Sequence, residues 1–177
     1  MSARARQSRL PVPDLEAILA VTSKLAAPFD LMTMLADDRF ITAFIGLLDP
    51  ATHRPRFHSG GQAPILHFQA SSGTCTRYNP TSFPLAAMPL TTLRPAIAVD
   101  LMPGDILVLL SDGICEYPDR HNELFGEDRV EAVLRAHHGR CMSELSGILL
   151  ESVQAFAQGV PQEDDITLVL VKREAGA

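Results

Sequence analysis

The segment Ile106-Leu107-Val108-Leu109-Leu110-Ser111-Asp112-Gly113 decides the fold, because five consecutive apolar residues end abruptly in an acidic turn. An apolar run of this length predicts a strand that is covered on both faces. A second apolar run, Ile166 to Lys172, directly follows the acidic sequence Gln162-Glu163-Asp164-Asp165. We therefore expect the two acidic turns to lie on the rim of one sheet.

Two acidic turns on one rim are suited to binding a hard cation. Oxygen ligands with few nitrogen or sulfur donors nearby suit Mg²⁺ or Mn²⁺ better than zinc or copper. Each turn also has a simpler interpretation. Asp112-Gly113 after a strand is most often only a turn, and the alternative for Asp164-Asp165 is a charged strand entrance.

Short apolar runs separated by Pro, Gly, Ser and Asn predict a largely antiparallel sheet structure. Gly60-Gly61 is expected to form a hairpin turn. Two segments with helical periodicity lie between the last two strands, and this order predicts an α+β layered domain. The predicted strands are Ile41–Leu48, Pro55–His58, Ala63–Gln69, Thr74–Tyr78, Ala96–Asp100, Ile106–Ser111 and Ile166–Lys172, and the predicted helices are Glu127–His137 and Ser143–Gln158.

The N-terminal part of the chain has a different pattern. Residues 1–13 are expected to be a disordered tail, and residues 14–36 a helical segment whose first helix stops at Pro28. Its apolar residues fall near a seven-residue spacing, which leaves two alternatives. The stripe either pairs with a second copy to form a homodimer or packs on the sheet of its own chain.

Composition excludes several functional classes. With 177 residues, 46% of them hydrophobic, the chain is long enough for one globular core. A net charge of -6 argues against nucleic-acid binding. No run approaches the ~18 apolar residues of a membrane span. The three widely spaced cysteines, Cys75, Cys115 and Cys141, predict no disulfide framework or zinc site, and they favour a cytoplasmic location and a role as small buried hydrophobic residues.

In the order and spacing of its motifs, the chain resembles the metal-dependent PPM-type serine/threonine phosphatases, in the bacterial branch of SpoIIE and the Rsb sigma-factor regulators. The resemblance runs from about Asp38 to Arg173. Relatives usually carry an Asn-Ala-Gly-His-type turn where this chain has Ser59-Gly60-Gly61-Gln62, which keeps the turn but lacks the histidine. The motifs that carry the resemblance are Asp38–Phe44, Leu48–Pro50, Ser59–Pro64, Pro103–Leu107, Ser111–Gly113, Leu124–Glu127 and Asp164–Leu168.

The resemblance implies a β-sandwich flanked by helices, in α/β/β/α layers, that hydrolyses phosphoserine or phosphothreonine with a water held between two divalent ions. It implies Asp112 and Asp164 as metal ligands, Gly113 as a residue that leaves room for the ion, and Asp165 as outer-shell or turn support. The implied cofactor is Mn or Mg, which this chain is expected to bind weakly. The implied partner is a phosphoprotein substrate, such as an anti-sigma-factor antagonist.

The resemblance covers only the C-terminal half of the domain, residues 37–174. Family members carry earlier glycine-led acidic motifs, which supply the aspartate shared by both metals, and no acidic residue before Asp49 is followed by glycine here. Residues 14–36 instead resemble the helix that leads into a GAF-type sensor domain. Three alternatives follow: an active phosphatase, a non-catalytic regulatory or interaction module with half a metal site, or a truncated or internally deleted gene product.

Overall fold

Two antiparallel sheets and three helices form the structure, a computed structural model that describes residues 40–88 and 94–174. The predicted tail and N-terminal helical segment lie outside these residues. The strands are β1 (Ala43–Asp49), β2 (Arg54–Gly60), β3 (Ile65–Gln69), β4 (Thr74–Tyr78), β5 (Ile97–Ala98), β6 (Ile106–Leu110) and β7 (Leu168–Lys172), and the helices are α1 (Asp112–Cys115), α2 (Gly126–His137) and α3 (Met142–Ala157).

One sheet has the strand order β1-β2-β5 and the other the order β4-β3-β6-β7. All the strand pairs are antiparallel. The four-stranded sheet lies between the three-stranded sheet and the helices α2 and α3, which gives the layers α/β/β. The predicted α+β class with two sheets and flanking helices is confirmed.

Strand β6 is central, as its apolar sequence predicted. It pairs with β3 on one side and with β7 on the other. Because successive side chains of a strand point to opposite faces, Ile106, Val108 and Leu110 contact the helical layer while Leu107 contacts the other sheet. Leu109, on the same face as Leu107, is only half-buried.

The helices cover one face of this sheet with the apolar positions expected from their periodicity. Val130 and Leu134 of α2 are fully buried, as are Leu145, Leu149 and Val153 of α3. They form one core with residues of β3 and β6. No helix in the two described ranges is long and apolar enough to cross a bilayer.

The expected hairpin at Gly60-Gly61 is wrong. Strands β2 and β3 belong to different sheets, so this turn carries the chain from one layer to the next. Gly61 has φ +71, and a Cβ there would lie 2.4 Å from Cγ of Pro84. Glycine is required because the crossing runs directly beneath another segment.

The three cysteines are free, but they do not share one environment. Burial raises the pKa of the Cys75 and Cys115 thiols to about 12. Both contact the helical core. Cys141 is exposed, so the expectation that all three are buried hydrophobic residues is wrong at this position. It precedes α3 and contributes no core packing.

We expect Leu107→Ala to cost about 2–5 kcal/mol of unfolding free energy, because its side chain is 3% exposed between the sheets. Leu109→Ala on the same face should cost less, since that side chain is only partly buried. Urea unfolding of both variants measures the difference. Equal midpoints would show that the sheets are not packed as described.

In the native chain at pH 8, we expect one thiol of three to react with a disulfide reagent. The high pKa values of Cys75 and Cys115 leave almost no thiolate at that pH, whereas Cys141 is accessible. Cys141→Ser should abolish the fast reaction, and urea should release the other two thiols. Fast reaction of the Cys141→Ser variant would contradict the burial of the two remaining thiols.

Candidate metal centre

Two chain segments deliver acidic side chains to one pocket. Strand β6 ends at Leu110, and Asp112 begins α1 directly beyond it; the sequence predicted only a turn here. Asp164 and Asp165 lie in the irregular segment before β7. All three carboxylates are exposed and line a pocket of about 540 Å³. The other lining residues are Thr42, Phe44, Gln62, Leu109, Leu110, Ser111, Thr167 and Val169.

Ser111 joins the two segments through both its backbone and its hydroxyl. Its backbone N–H donates to the Thr167 carbonyl at 2.9 Å. Its Oγ accepts from the Thr167 N–H at 2.8 Å and donates to the Asp165 carbonyl at 2.9 Å. These three bonds hold the acidic segment against the end of β6, and we call them the Ser111 clamp. The sequence singled out Asp112 and Asp164 but not the serine that connects their segments.

Gly113 allows the two segments to approach closely. It is buried, and a Cβ built on it would lie 2.6 Å from the Asp165 carbonyl oxygen and 3.2 Å from that of Asp164. These are backbone atoms and have little freedom to retreat. The role of Gly113 beside an ion stays a prediction, and the structure shows a further reason for glycine here, which is the closeness of the acidic-loop backbone.

Local hydrogen bonds further order both turns. The Asp112 carbonyl accepts from the Glu116 N–H at 2.7 Å, and its Oδ1 accepts from the Gly113 N–H at 3.0 Å. In the acidic loop, Nε2 of Gln162 donates to the Asp164 carbonyl at 2.8 Å. Both aspartates therefore project from ordered backbone.

Another aspartate, Asp105, interacts with a histidine outside the pocket. Nε2 of His67 lies 2.9 Å from Oδ2 of Asp105, and both side chains are buried. Asp105 also accepts from the backbone N–H groups of Ala70 and Met102. Its carboxylate is thereby occupied in holding the chain before β6 rather than in the pocket.

The carboxylate oxygens of the pocket are the type of ligand that a hard divalent cation prefers. In the part of the chain that the structure describes, no arginine, lysine or histidine forms an ion pair with Asp112, Asp164 or Asp165. Their charges are thus left for a cation. No group of three His, Cys, Asp or Glu side chains suited to a metal occurs within residues 40–88 and 94–174. Two carboxylates with water fit one weakly held Mg²⁺ or Mn²⁺, since such ions usually keep several waters.

Comparisons with known proteins agree with this fold. A profile of the Stage II sporulation protein E (SpoIIE) family matches residues 17–174. Protein IcfG of Synechocystis sp. is 27% identical over 135 residues, which cover 76% of this chain. The chain spans only 21% of the length of that curated relative.

Solved phosphatase domains share the architecture. The SpoIIE phosphatase domain of Bacillus subtilis aligns with a TM-score of 0.64 and 18% identity, covering 96% of this chain and 79% of that one. The SiaA PP2C domain of Pseudomonas aeruginosa aligns with a TM-score of 0.69 and 20% identity, covering 89% of this chain and 59% of that one. The RsbU and RsbW domains of Rv1364c from Mycobacterium tuberculosis align with a TM-score of 0.65 and 22% identity. This alignment covers 94% of this chain and 44% of that one.

The fold is that of the PP2C-type, or PPM-type, phosphatase domains. Because the family profile matches most of its length, the chain belongs to the SpoIIE family. The resemblance stated from the sequence motifs is confirmed.

We expect Gly113→Ala to lower the unfolding free energy by about 1–3 kcal/mol, because the new methyl group meets the Asp165 backbone at 2.6 Å. Gly147→Ala is the matched control. This glycine lies in α3, where a Cβ meets no atom within 4 Å, so alanine should stabilise by about 0.5–1 kcal/mol. Thermal melts of both variants test this, and an unchanged Gly113→Ala melt would mean that the clamp does not hold the loop.

Proposed function

We propose that this chain carries the Asp112–Asp164 half of the metal site of a SpoIIE-type protein serine/threonine phosphatase. The observation that supports this most is the Ser111 clamp, which brings two unpaired acidic segments to one pocket. Asp112 and Asp164 would hold the ion, with Asp165 in outer-shell or turn support. Bound Mn²⁺ or Mg²⁺ would supply Lewis acidity and lower the pKa of a bound water.

The residues of the chain contribute binding and orientation. Asp112 and Asp164 concentrate negative charge at one end of the pocket, and the clamp limits their relative movement. The remaining wall combines apolar residues, among them Phe44, Leu109 and Val169, with the polar residues Thr42, Gln62 and Thr167. Two carboxylates suffice to hold one hydrated ion, but a bridged pair of ions requires further ligands.

The proposed substrate is phosphoserine or phosphothreonine on a bacterial regulatory protein in the cytoplasm, such as an anti-sigma-factor antagonist. Membership of the SpoIIE family supports this substrate class. The boundary at residue 37 and homodimer formation through residues 14–36 remain predictions. Sedimentation of the full chain and of a variant beginning at Asp37 tests both.

A second candidate function is a non-catalytic regulatory or interaction module. The observation that favours it is the small number of metal ligands: within the described residues, no three His, Cys, Asp or Glu side chains form a group that could hold a metal. The two candidates differ in turnover: a module binds its partner whether or not metal is added, whereas an enzyme shows metal-dependent hydrolysis.

We expect the full chain to bind Mn²⁺ weakly, with a Kd on the order of 1 mM, and to hydrolyse an aryl phosphate slower than about 1 per second. Asp112→Asn and Asp164→Asn should each abolish Mn²⁺ binding in an electron paramagnetic resonance titration, so that the sharp signal of the free ion is no longer reduced by added protein. Glu151→Gln, on an exposed position of α3, removes the same charge outside the pocket and should have no effect.

Unchanged Mn²⁺ binding by both asparagine variants would show that the pocket acids do not hold the ion. Mn²⁺-dependent turnover at or above about 1 per second would show that two carboxylates are enough for catalysis. Absence of turnover in a folded, Mn²⁺-binding chain favours the interaction module.

A further inference from the structure

Gln62 lies where the chain crosses between the two sheets, and its backbone is held firmly. Oγ of the buried Ser59 donates to the Gln62 carbonyl at 2.6 Å. Gly61 next to it is confined by Pro84, whose Cγ would lie 2.4 Å from a Cβ. The backbone of Gln62 is therefore fixed by contacts outside the pocket.

The side chain of Gln62 reaches the end of β6. Its Nε2 donates to the Leu110 carbonyl at 2.7 Å, two residues before Asp112. The same side chain lines the pocket together with Asp112 and Asp164. The bond thus ties the crossing between the sheets to the strand that delivers the first acid.

The other polar atom of this amide is not used by the described protein. No donor in residues 40–88 and 94–174 forms a hydrogen bond with Oε1 of Gln62. An amide oxygen only accepts, so any ligand in the pocket that bonds to it must carry a proton. Fully ionised phosphate oxygens carry none, whereas a water bound to a divalent cation has strongly polarised protons.

We propose that Gln62 is a positioning residue of the pocket: Nε2 fixes the end of β6, and Oε1 accepts a hydrogen bond from a water on the divalent cation. The inference rests on the proposed metal binding by Asp112 and Asp164. Outer partners of this kind strengthen metal binding by orienting the groups that touch the ion. Gln62 would thereby favour a hydrated ion over a bare one.

Mn²⁺ titrations of the full chain at about 0.15 M ionic strength test the proposal, with melting temperature and water proton relaxation as further readouts. Gln62→Met keeps the length of the side chain and removes both polar atoms. Gln62→Glu keeps an acceptor and loses the donor to Leu110. Gln69→Met is the matched control on β3, where within the described residues the side-chain amide only accepts from the Thr74 hydroxyl at 3.2 Å.

We expect Gln62→Met to weaken Mn²⁺ binding by about tenfold and to change the relaxation of bound water. Gln62→Glu should bind within about threefold of the wild type or more tightly, although it melts lower, since an acceptor remains. Gln69→Met should bind as the wild type does. This pattern would support both roles of the amide.

Wild-type Mn²⁺ binding by Gln62→Met, with only a lower melting temperature, would overturn the proposal and leave a purely structural role. Binding by Gln62→Glu as weak as that of Gln62→Met would overturn the role of Oε1. If Gln62→Met does not fold, Gln62→Glu decides alone: Mn²⁺ binding about tenfold weaker than that of the wild type overturns the role of Oε1. Failure of the wild type itself to bind Mn²⁺ would overturn the proposed function as well, and this outcome is distinct from the first two.

Discussion

The Ser111 hydroxyl is the contact on which the geometry of the pocket depends. The regular β6–β7 ladder ends at the pair Leu110 and Leu168. Ser111 extends the pairing by one step, because its backbone bonds Thr167 and its hydroxyl bonds both the Thr167 N–H and the Asp165 carbonyl. A hydroxyl can accept and donate at once, which an alanine or a valine here could not do. The acidic loop is consequently positioned by the sheet rather than by its own sequence.

The clamp is effective because β6 itself has little freedom. The strand pairs on both edges and is covered on both faces, so displacing its end would disturb two cores. Close-packed protein interiors have low compressibility and transmit small movements. Besides the pairing of β6 with its two neighbours, the Gln62 side chain connects the crossing between the sheets to the last carbonyl of β6. The candidate metal centre is therefore anchored in both sheets.

The local pattern of residues predicted the elements but not the contacts between them. The boundaries of β4 were predicted correctly, and those of α2 and α3 within one residue at each end, because apolar periodicity is a local property. The sequence predicts a hairpin at the Gly60-Gly61 crossing, since two strands around a glycine turn have the same local pattern whether or not they pair. The helix that begins at Asp112 is a single turn, which is too short to show helical periodicity in the sequence. The bonds from Ser111 to Asp165 and from Gln62 to Leu110 join residues 54 and 48 positions apart, which no local pattern encodes.

The two aspartates are ordered to different degrees, and this difference bears on metal affinity. Asp112 starts a helix directly at the end of a central strand, whereas Asp164 lies in an irregular exposed loop. Ordering a loop on binding costs conformational entropy, which lowers affinity. The clamp and the bond from Gln162 to the Asp164 carbonyl remove part of that cost before any ion arrives. Affinity in this pocket should therefore depend on hydrogen bonds that do not touch the ion, as much as on the two carboxylates themselves.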